Sequence, residues 1–396
     1  MEAAFRSSRW SQRTCPICGL SDHMVVIGER IATVRQRTTA FEWRQTDGLC
    51  SGCGLIQSLQ APEPEFLDDY YADAQTAVDP SFNTPARLST IRRLHHGGRL
   101  VEIGAADGAF CKCLREEGID AIGVDPLGDQ ESEFVVSGYA SDGALAAGSA
   151  ETVVAYHVME HVTDPLAWLQ SIRSMLKAGG TLIIEVPDVD NWPVDAWHHE
   201  HFTQFNTASL TALLEYAGFT TLSCGVEPPS RPHGIVYVGR LELTGGAGQK
   251  LPKPPSGGAD RAVLLYERAE RIRAGQLSAA ERTADRVLRE VPAESGKDCE
   301  VIVWGANEIA SALGAALANR RADLTVRVVD NADSKAGVPH PGFRDPVERP
   351  VFDVESQKRH VFVLCSRVCN DAIAEQVRRM DLPDIVIIDG TDWPTD

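Results

Sequence analysis

The chain has 396 residues, 43% of them hydrophobic and 24% charged, which predicts two or three domains of an ordinary globular protein and excludes a disordered or fibrous chain. Lys and Arg number 38 against 56 Asp and Glu, a formal net charge of −18. An acidic balance of that size argues against a general nucleic-acid binder, because neutralising phosphates needs a basic face.

Near the N-terminus, Cys15 and Cys18 form one CxxCG unit and Cys50 and Cys53 a second, separated by strand-like alternation that includes Met24 to Gly28. Each unit is a tight turn whose glycine lets two thiolates point at one ion, and two units supply four tetrahedral ligands. Cys15, Cys18, Cys50 and Cys53 are therefore expected to hold structural zinc, with His23 at the surface rather than a ligand. The residues before them carry no apolar stretch of the kind a secretory leader needs, so a cytoplasmic protein is expected. No run of about 18 apolar residues occurs, so no membrane partner is expected either.

Pro62, Pro64 and the acidic-aromatic stretch Asp68 to Asp73 read as a loop able to close over a site, with Tyr70 and Tyr71 either touching substrate or packing on the core. Arg87 to His96 read as a connecting helix. From Gly97 the texture changes to short apolar strands alternating with helices: Arg99 to Gly104, Ala121 to Asp125, Phe134 to Val136, Thr152 to Tyr156 and Thr181 to Val186. That rhythm predicts an α/β fold with a parallel doubly wound sheet. A helix from Leu210 and strands at Thr221 to Cys224 and Ile235 to Val238 follow. After a Gly/Pro/Lys-rich break at 246–258 and a long polar helix from Asp260 to Glu290, a last strand-helix-strand unit opens at Cys299 and continues through strands at Arg327, His360 and Asp384. Cys111, Cys113, Cys224, Cys299, Cys365 and Cys369 lack a ligand spacing and read as apolar filler.

The chemistry starts at Glu102, Gly104, Ala106 and Gly108, an ExGxxxG turn between the first strand and its helix. Glycine at the strand end permits close approach of backbone to a ligand, and the helix start offers free N–H groups. Asp125, at the tip of the second strand, is placed to accept hydrogen bonds from ribose hydroxyls. This pattern resembles the nucleoside-binding signature of class I S-adenosylmethionine-dependent methyltransferases. The stretch from Tyr156 and His157 through Glu160 and His161 to Pro165 is similar to their HVLEHVxDP segment, and Leu176 to Thr181 to their LKPGG turn. The resemblance implies S-adenosylmethionine as cofactor, held by Glu102, Gly104, Ala106, Gly108 and Asp125, with His157 bordering the site.

His198, His199, Glu200 and His201 form a second cluster just after the fifth strand, where such a sheet holds its ligand. An imidazole beside a carboxylate suits general-base work, whereas adjacent residues on an extended segment point to opposite faces and fit a metal poorly. The run HHEHFTQF resembles the YHEHxxxF motif of the sugar C-methyltransferases of deoxysugar biosynthesis, and the likeness covers nearly the whole chain. Arg231 to Val238 resembles a degraded form of that family's HGGSLRVYV, Trp304 to Ala306 its YGA, and Val328 to Gly337 its VVDxNPxKxG.

That family implies a zinc-binding module (1–60), a methyltransferase domain with its connecting helix (61–245), a linker and long helix (246–298), and a C-terminal Rossmann-like substrate-binding domain (299–396). Its activity implies C-methylation of a nucleotide-linked keto-deoxysugar or similar natural-product intermediate, through an enolate formed by His201 with Glu200, while His198 or His233 steadies the oxyanion. Where the family has tyrosine before its HEH, this chain has His198; the glycine-serine-arginine part of HGGSLR is missing, and Asn307 and Glu308 stand near the family's lysine after YGA. O- or N-methylation of a non-sugar scaffold is the alternative. A small-molecule substrate is the expected partner, and a nucleotide-linked one needs local positive charge, for which Arg231, His233 and Lys335 are the candidates.

Overall fold

Two glycines with left-handed backbone close the cysteine turns at the base of the first sheet. Gly19 (φ 70°) donates to the Cys15 carbonyl at 2.7 Å and Gly54 (φ 77°) to that of Cys50 at 2.8 Å, a conformation open to glycine without strain. The structure is a computed structural model that describes residues 10–19, 21–35, 40–73, 84–128, 132–143, 145–191, 198–226, 234–241, 258–292, 299–306, 308–331, 336–337, 340, 343–352, 358–366, 370–380 and 382–390. The turns flank strands β1 (Trp10–Gln12), β2 (Met24–Arg35), β3 (Ala40–Cys50), β4 (Ile56–Ser58) and β5 (Gln60–Pro62). β2, β3 and β4 are successive antiparallel neighbours, and β1 pairs with β5.

The stretch expected to be a loop is helix α1 (Pro64–Asp73). Pro64 stands at the first helical position, where its fixed φ suits the helix and its missing N–H costs nothing. Phe66 and Tyr70, one turn apart, face Trp43 of β3 at ring separations of 5.9 and 5.2 Å, and Trp43 is buried. The aromatic residues thus pack as a helix face. Helix α2 (Thr84–Leu94) follows as expected.

The central layer contains β6 (Arg99–Ile103), α3 (Ala109–Glu116), β7 (Asp120–Asp125), β8 (Val135–Ser137), β9 (Ala150–Tyr156), α4 (Pro165–Met175), β10 (Leu176–Pro187), β11 (Thr203–Gln204), α5 (Thr207–Tyr216), β12 (Phe219–Gly225) and β13 (Gly234–Leu241). Seven of these strands make one sheet in the order β12-β13-β10-β9-β6-β7-β8. The run from β10 to β8 is parallel, and its strands read as nearly continuous apolar stretches because helices cover both faces. β13 is antiparallel to both β10 and β12. The chain leaves β6 in one direction towards β7 and β8 and returns to its other side at β9, so the crevice above the carboxyl ends of β6 and β9 is where such a sheet binds ligands. β11 belongs elsewhere: it pairs with β4 and extends the cysteine module's sheet to β11-β4-β3-β2. Buried Arg13 ties these segments together, donating to the carbonyls of Thr163, Ser58 and Phe202 and to Thr203 Oγ1.

Helix α6 (Gly258–Glu290) leads to β14 (Cys299–Trp304), α7 (Glu308–Arg320), β15 (Val326–Val329), β16 (Arg359–Leu364), α8 (Asn370–Arg378) and β17 (Ile385–Asp389). These four strands form a parallel sheet in the order β15-β14-β16-β17. Along α6, Ala262 and Ala269 pack with Leu49, Ile56 and Val189, while Ala284 and Val287 enter the core with Val301 and Leu313. A Cβ on Gly28 would stand 2.3 Å from the Tyr266 ring, so the glycine lets this ring of α6 lie directly on the backbone of β2. The helix is the brace between the first and last sheets. Among the described residues no helix is long and apolar enough to cross a membrane. Arg231, His233, Lys335 and the break at 246–257 lie outside the described residues.

Candidate active site

The ExGxxxG turn sits in the crevice. Gly104 (φ 76°) donates to the Val124 carbonyl at 2.8 Å, and a Cβ there would meet Val158 Cγ2 at 2.4 Å. Ala106 (φ 48°) donates its N–H to Asp125 Oδ2 at 2.9 Å, and Leu127 donates to Oδ1 at 2.8 Å. A carboxylate has about four acceptor positions, so two remain for a ligand's hydroxyls. Gly108 (φ 79°) opens α3, and the Asp107 side chain accepts from the Ala109 N–H at 3.0 Å. Glu102 is buried, accepts from Cys111 Sγ of α3 at 3.2 Å, and is pushed up to about 7 by burial.

At the neighbouring strand end, His157 takes the left-handed conformation (φ 57°), and its ring lies between two buried carboxylates. Nδ1 is 3.3 Å from Glu160 Oε1 and Nε2 is 3.1 Å from Glu185 Oε1. Arg87 of α2 lies 3.9 Å from Glu185 Oε2 and 4.1 Å over the Tyr156 ring. The next turn presents His161, whose ring centroid is 4.7 Å from that of His201. His198 is 5.3 Å from His201 and 4.2 Å from His199 between ring centroids. The Phe202 N–H donates to the Glu160 carbonyl at 2.7 Å, which fastens the histidine loop to the end of β9.

Glu200 accepts a hydrogen bond from Tyr70 Oη of α1 and lies 3.6 Å from His199 Nε2 and 3.8 Å from His161 Nδ1. Burial opposes its ionisation, but the imidazoles of His198, His199 and His161 and the Tyr70 hydroxyl outweigh it and hold the carboxyl below its ordinary value. Burial, reinforced by His198, pushes the His199 imidazole down to about 3, so it is neutral at physiological pH. Burial and Glu200 push the Tyr70 hydroxyl up, so it remains a donor. The loop therefore combines an ionised carboxylate, a neutral imidazole and a hydroxyl donor, a set suited to moving a proton.

His198, Glu200, His201 and His157 are thus brought to one region, above the crevice that holds Gly104 and Asp125. Glu160, Glu185, Arg87 and Arg30 are additions. Arg30 of β2 makes two bonds to the Asp47 carboxylate (2.6 and 2.8 Å) and donates to the carbonyls of His198 and His201. Glu160 and His161 are visible in the sequence only as part of a matched stretch; Arg30 and Asp47 carry no local signal, because the β2–β3 register brings them together.

The four cysteine sulfurs lie within 4.8 Å of one another, with Cys15 and Cys53 at 3.4 Å and Cys50 and Cys18 at 3.7 Å. Four ligands about 2.3 Å from one tetrahedral ion stand about 3.8 Å apart, so the spacing fits. Burial and neighbouring Cys15 push the Cys18 thiol up to about 12.

In the last sheet Gly305 (φ 108°) donates to the Val329 carbonyl at 2.9 Å, and the Ala306 N–H donates to Asp330 Oδ2 at 2.8 Å. This repeats the relation of Gly104 to Val124 and of Ala106 to Asp125, so the two α/β units share a strand-end design.

Residues 76–224 match the family described as Methyltransferase domain. The chain carries a methyltransferase domain. Ubiquinone biosynthesis O-methyltransferases from two strains of Cereibacter sphaeroides are 31% identical over 142 residues and 36% identical over 144, in each case 33% of this chain and 55% of the relative. The chain thus spans about half the length of the curated relatives it matches. Two solved structures are similar in part. A SAM-dependent methyltransferase from Archaeoglobus fulgidus shows 18% identity and a TM-score of 0.33, over 45% of this chain and 100% of its own. The 1,6-didemethyltoxoflavin-N1-methyltransferase of Burkholderia thailandensis, with bound 1,6-didemethyltoxoflavin and S-adenosylhomocysteine, shows 18% identity and a TM-score of 0.38, over 48% and 96%. Within the matched span lie the ExGxxxG turn, Asp125, His157 and the histidine loop.

Proposed function

We propose that the protein is an S-adenosylmethionine-dependent methyltransferase that methylates carbon next to a carbonyl in a nucleotide-linked keto-deoxysugar or similar natural-product intermediate. The observation that carries the reading is the pairing, at one sheet edge, of the Asp125–Ala106 turn with the Glu200–His201 loop. When bound, S-adenosylmethionine supplies an electrophilic sulfonium methyl. Gly104 and Gly108 admit the cofactor's methionine end to the backbone, and the free acceptor positions of Asp125 receive ribose hydroxyls. His201 with Glu200 removes the acceptor's α-proton; the C–H electron pair becomes the enolate, whose carbon takes the methyl as the methyl–sulfur pair stays on sulfur. The Tyr70 hydroxyl, donating to Glu200, keeps that carboxylate oriented and ionised, while His198 or His233 steadies the developing oxyanion.

Cys15, Cys18, Cys50 and Cys53 would hold a structural zinc ion; with all four positions taken by protein it would fix the hairpin and leave no site for water. The cysteine module (1–60), methyltransferase domain (61–245), linker with long helix (246–298) and C-terminal Rossmann-like unit (299–396) form the proposed division of labour, the last for the acceptor's nucleotide. The repeated Gly305–Asp330 geometry supports that role. The likeness to ubiquinone biosynthesis O-methyltransferases favours the second reading, in which the same base deprotonates a hydroxyl.

Incubation with a nucleotide-linked 4-keto-deoxysugar in D₂O without methyl donor separates the two. Deuterium entering the α-carbon, followed by a methyl there once donor is added, supports C-methylation. Methyl on oxygen with no carbon exchange supports the alternative, and absence of S-adenosylmethionine binding in calorimetry refutes both.

A further inference from the structure

We propose that Glu160, His161 and His201 bind a divalent transition-metal cation in the acceptor site. The inference rests on the reading of this pocket as the place where the acceptor is activated. Each residue offers one ligand atom, and the three atoms lie within 4.8 Å of one another. Atoms so spaced are at most about 2.8 Å from a common point, against about 2.0–2.2 Å for N and O ligands of such ions, so inward shifts of under about 1 Å close the shell.

Two further observations point to a ligand. Glu160 is 1% exposed, and its Oε2 has no hydrogen-bond partner among the described residues. A buried, unpaired carboxylate oxygen carries a large desolvation cost that a bound cation removes. His161 Nδ1 is likewise buried without a hydrogen bond; it stands 3.8 Å from Glu200 Oε2, while Nε2 stands 4.0 Å from Glu160 Oε1. These gaps are too long for hydrogen bonds. The second equals what two ligands about 2.1 Å from one ion keep between them at a wide angle.

Charge leads to the same conclusion. Glu160, Glu185 and Glu200 bring three carboxylates to the cluster, with Arg87 at 3.9 Å from Glu185. Two imidazoles and one carboxylate select a first-row divalent ion and leave positions open. Those positions suit an oxygen of the acceptor, the carbonyl or the hydroxyl that methylation activates. As a ligand His201 commits its lone pair to the ion, and the proton then goes to Glu200.

Mn²⁺ is the probe, because it prefers N and O ligands to the thiolates of the cysteine cluster. Zinc-loaded protein should take up one additional Mn²⁺, read by electron paramagnetic resonance, with spin-echo modulation from imidazole nitrogen. Glu160→Gln and His161→Ala should each weaken uptake by about tenfold or more, with zinc content and circular dichroism unchanged, whereas Glu300→Gln in the last sheet should not. If a variant fails to fold, the nitrogen modulation in the wild type still decides. No Mn²⁺ uptake, or uptake without nitrogen coupling, overturns the inference. Methyl transfer by protein that takes no second metal would sink the cation and leave the proposed function intact; Mn²⁺ uptake in protein that does not bind S-adenosylmethionine would do the reverse.

Discussion

Arg30 Nη2 donates to the His201 carbonyl at 2.9 Å, so a strand of the cysteine module holds the backbone of the histidine loop in place. The guanidinium is buried and doubly bonded to Asp47, itself fully buried, and Gln204 Nε2 donates to the same carbonyl at 2.9 Å. Arg30→Ala leaves the Asp47 carboxylate uncompensated and should destabilise the chain by about 3–5 kcal/mol, whereas replacing the pair together should cost less. Chemical denaturation of Arg30→Ala and of the Arg30→Leu/Asp47→Leu double variant measures both. Equal losses would show that the pair does not act as a unit.

The cysteine cluster reaches the same loop by another path. Cys50 ends β3, Asp47 lies on that strand, and Arg30 links it to His198 and His201. Loss of the proposed zinc ion should therefore loosen residues 198–204 as well as the hairpin. Cys50→Ser should abolish zinc retention in elemental analysis and lower the melting temperature, because metal affinity of this kind is folding free energy. Hydrogen exchange at 198–204 should rise while that of β6 and β9 stays slow. Protection unchanged in the loop would break the link.

Asp125 supports the glycine turn through Ala106 and Leu127 even without ligand. Asp125→Ala should therefore weaken S-adenosylmethionine binding by about 10–100-fold, the worth of one or two hydrogen bonds to a charged acceptor. Calorimetry reads this directly. Asp330→Ala, at the equivalent position of the last sheet, should leave that affinity unchanged.

The parts of this molecule legible in its sequence are those whose partners are near in the chain. Cys15 with Cys18 and Cys50 with Cys53 are turns complete in themselves, and β6, β7, β9 and β10 are apolar runs because both faces are covered. α1 was hidden because its aromatic residues make sense only against Trp43 of β3. The Glu160–His161–His201 group was hidden for a similar reason: residues distant in sequence meet because Phe202 pairs with the Glu160 carbonyl. Residues 198–201 are a turn, closed by the His201 N–H donating to the His198 carbonyl at 3.0 Å, where an extended segment was expected, and His201 meets Glu160 and His161 from another segment.

Glu102 makes stability depend on pH. Burial lifts its carboxyl from an ordinary 4.5 to about 7, with the Cys111 thiol acting in the opposite sense. Between these values the folded chain keeps a proton that the unfolded chain has released. The stabilisation is therefore complete below pH 4.5 and is lost as pH rises through about 7. At about 1.4 kcal/mol per pH unit, the loss attributable to Glu102 approaches about 3 kcal/mol by pH 8. Glu102→Gln keeps the shape and removes the titration, so its unfolding free energy should fall less than the wild type's between pH 5 and pH 8. Cys111→Ala removes the donor that favours the ionised form and should steepen the wild-type dependence. Urea titrations at each pH measure all three, and parallel curves for wild type and Glu102→Gln would exclude Glu102 as the group responsible.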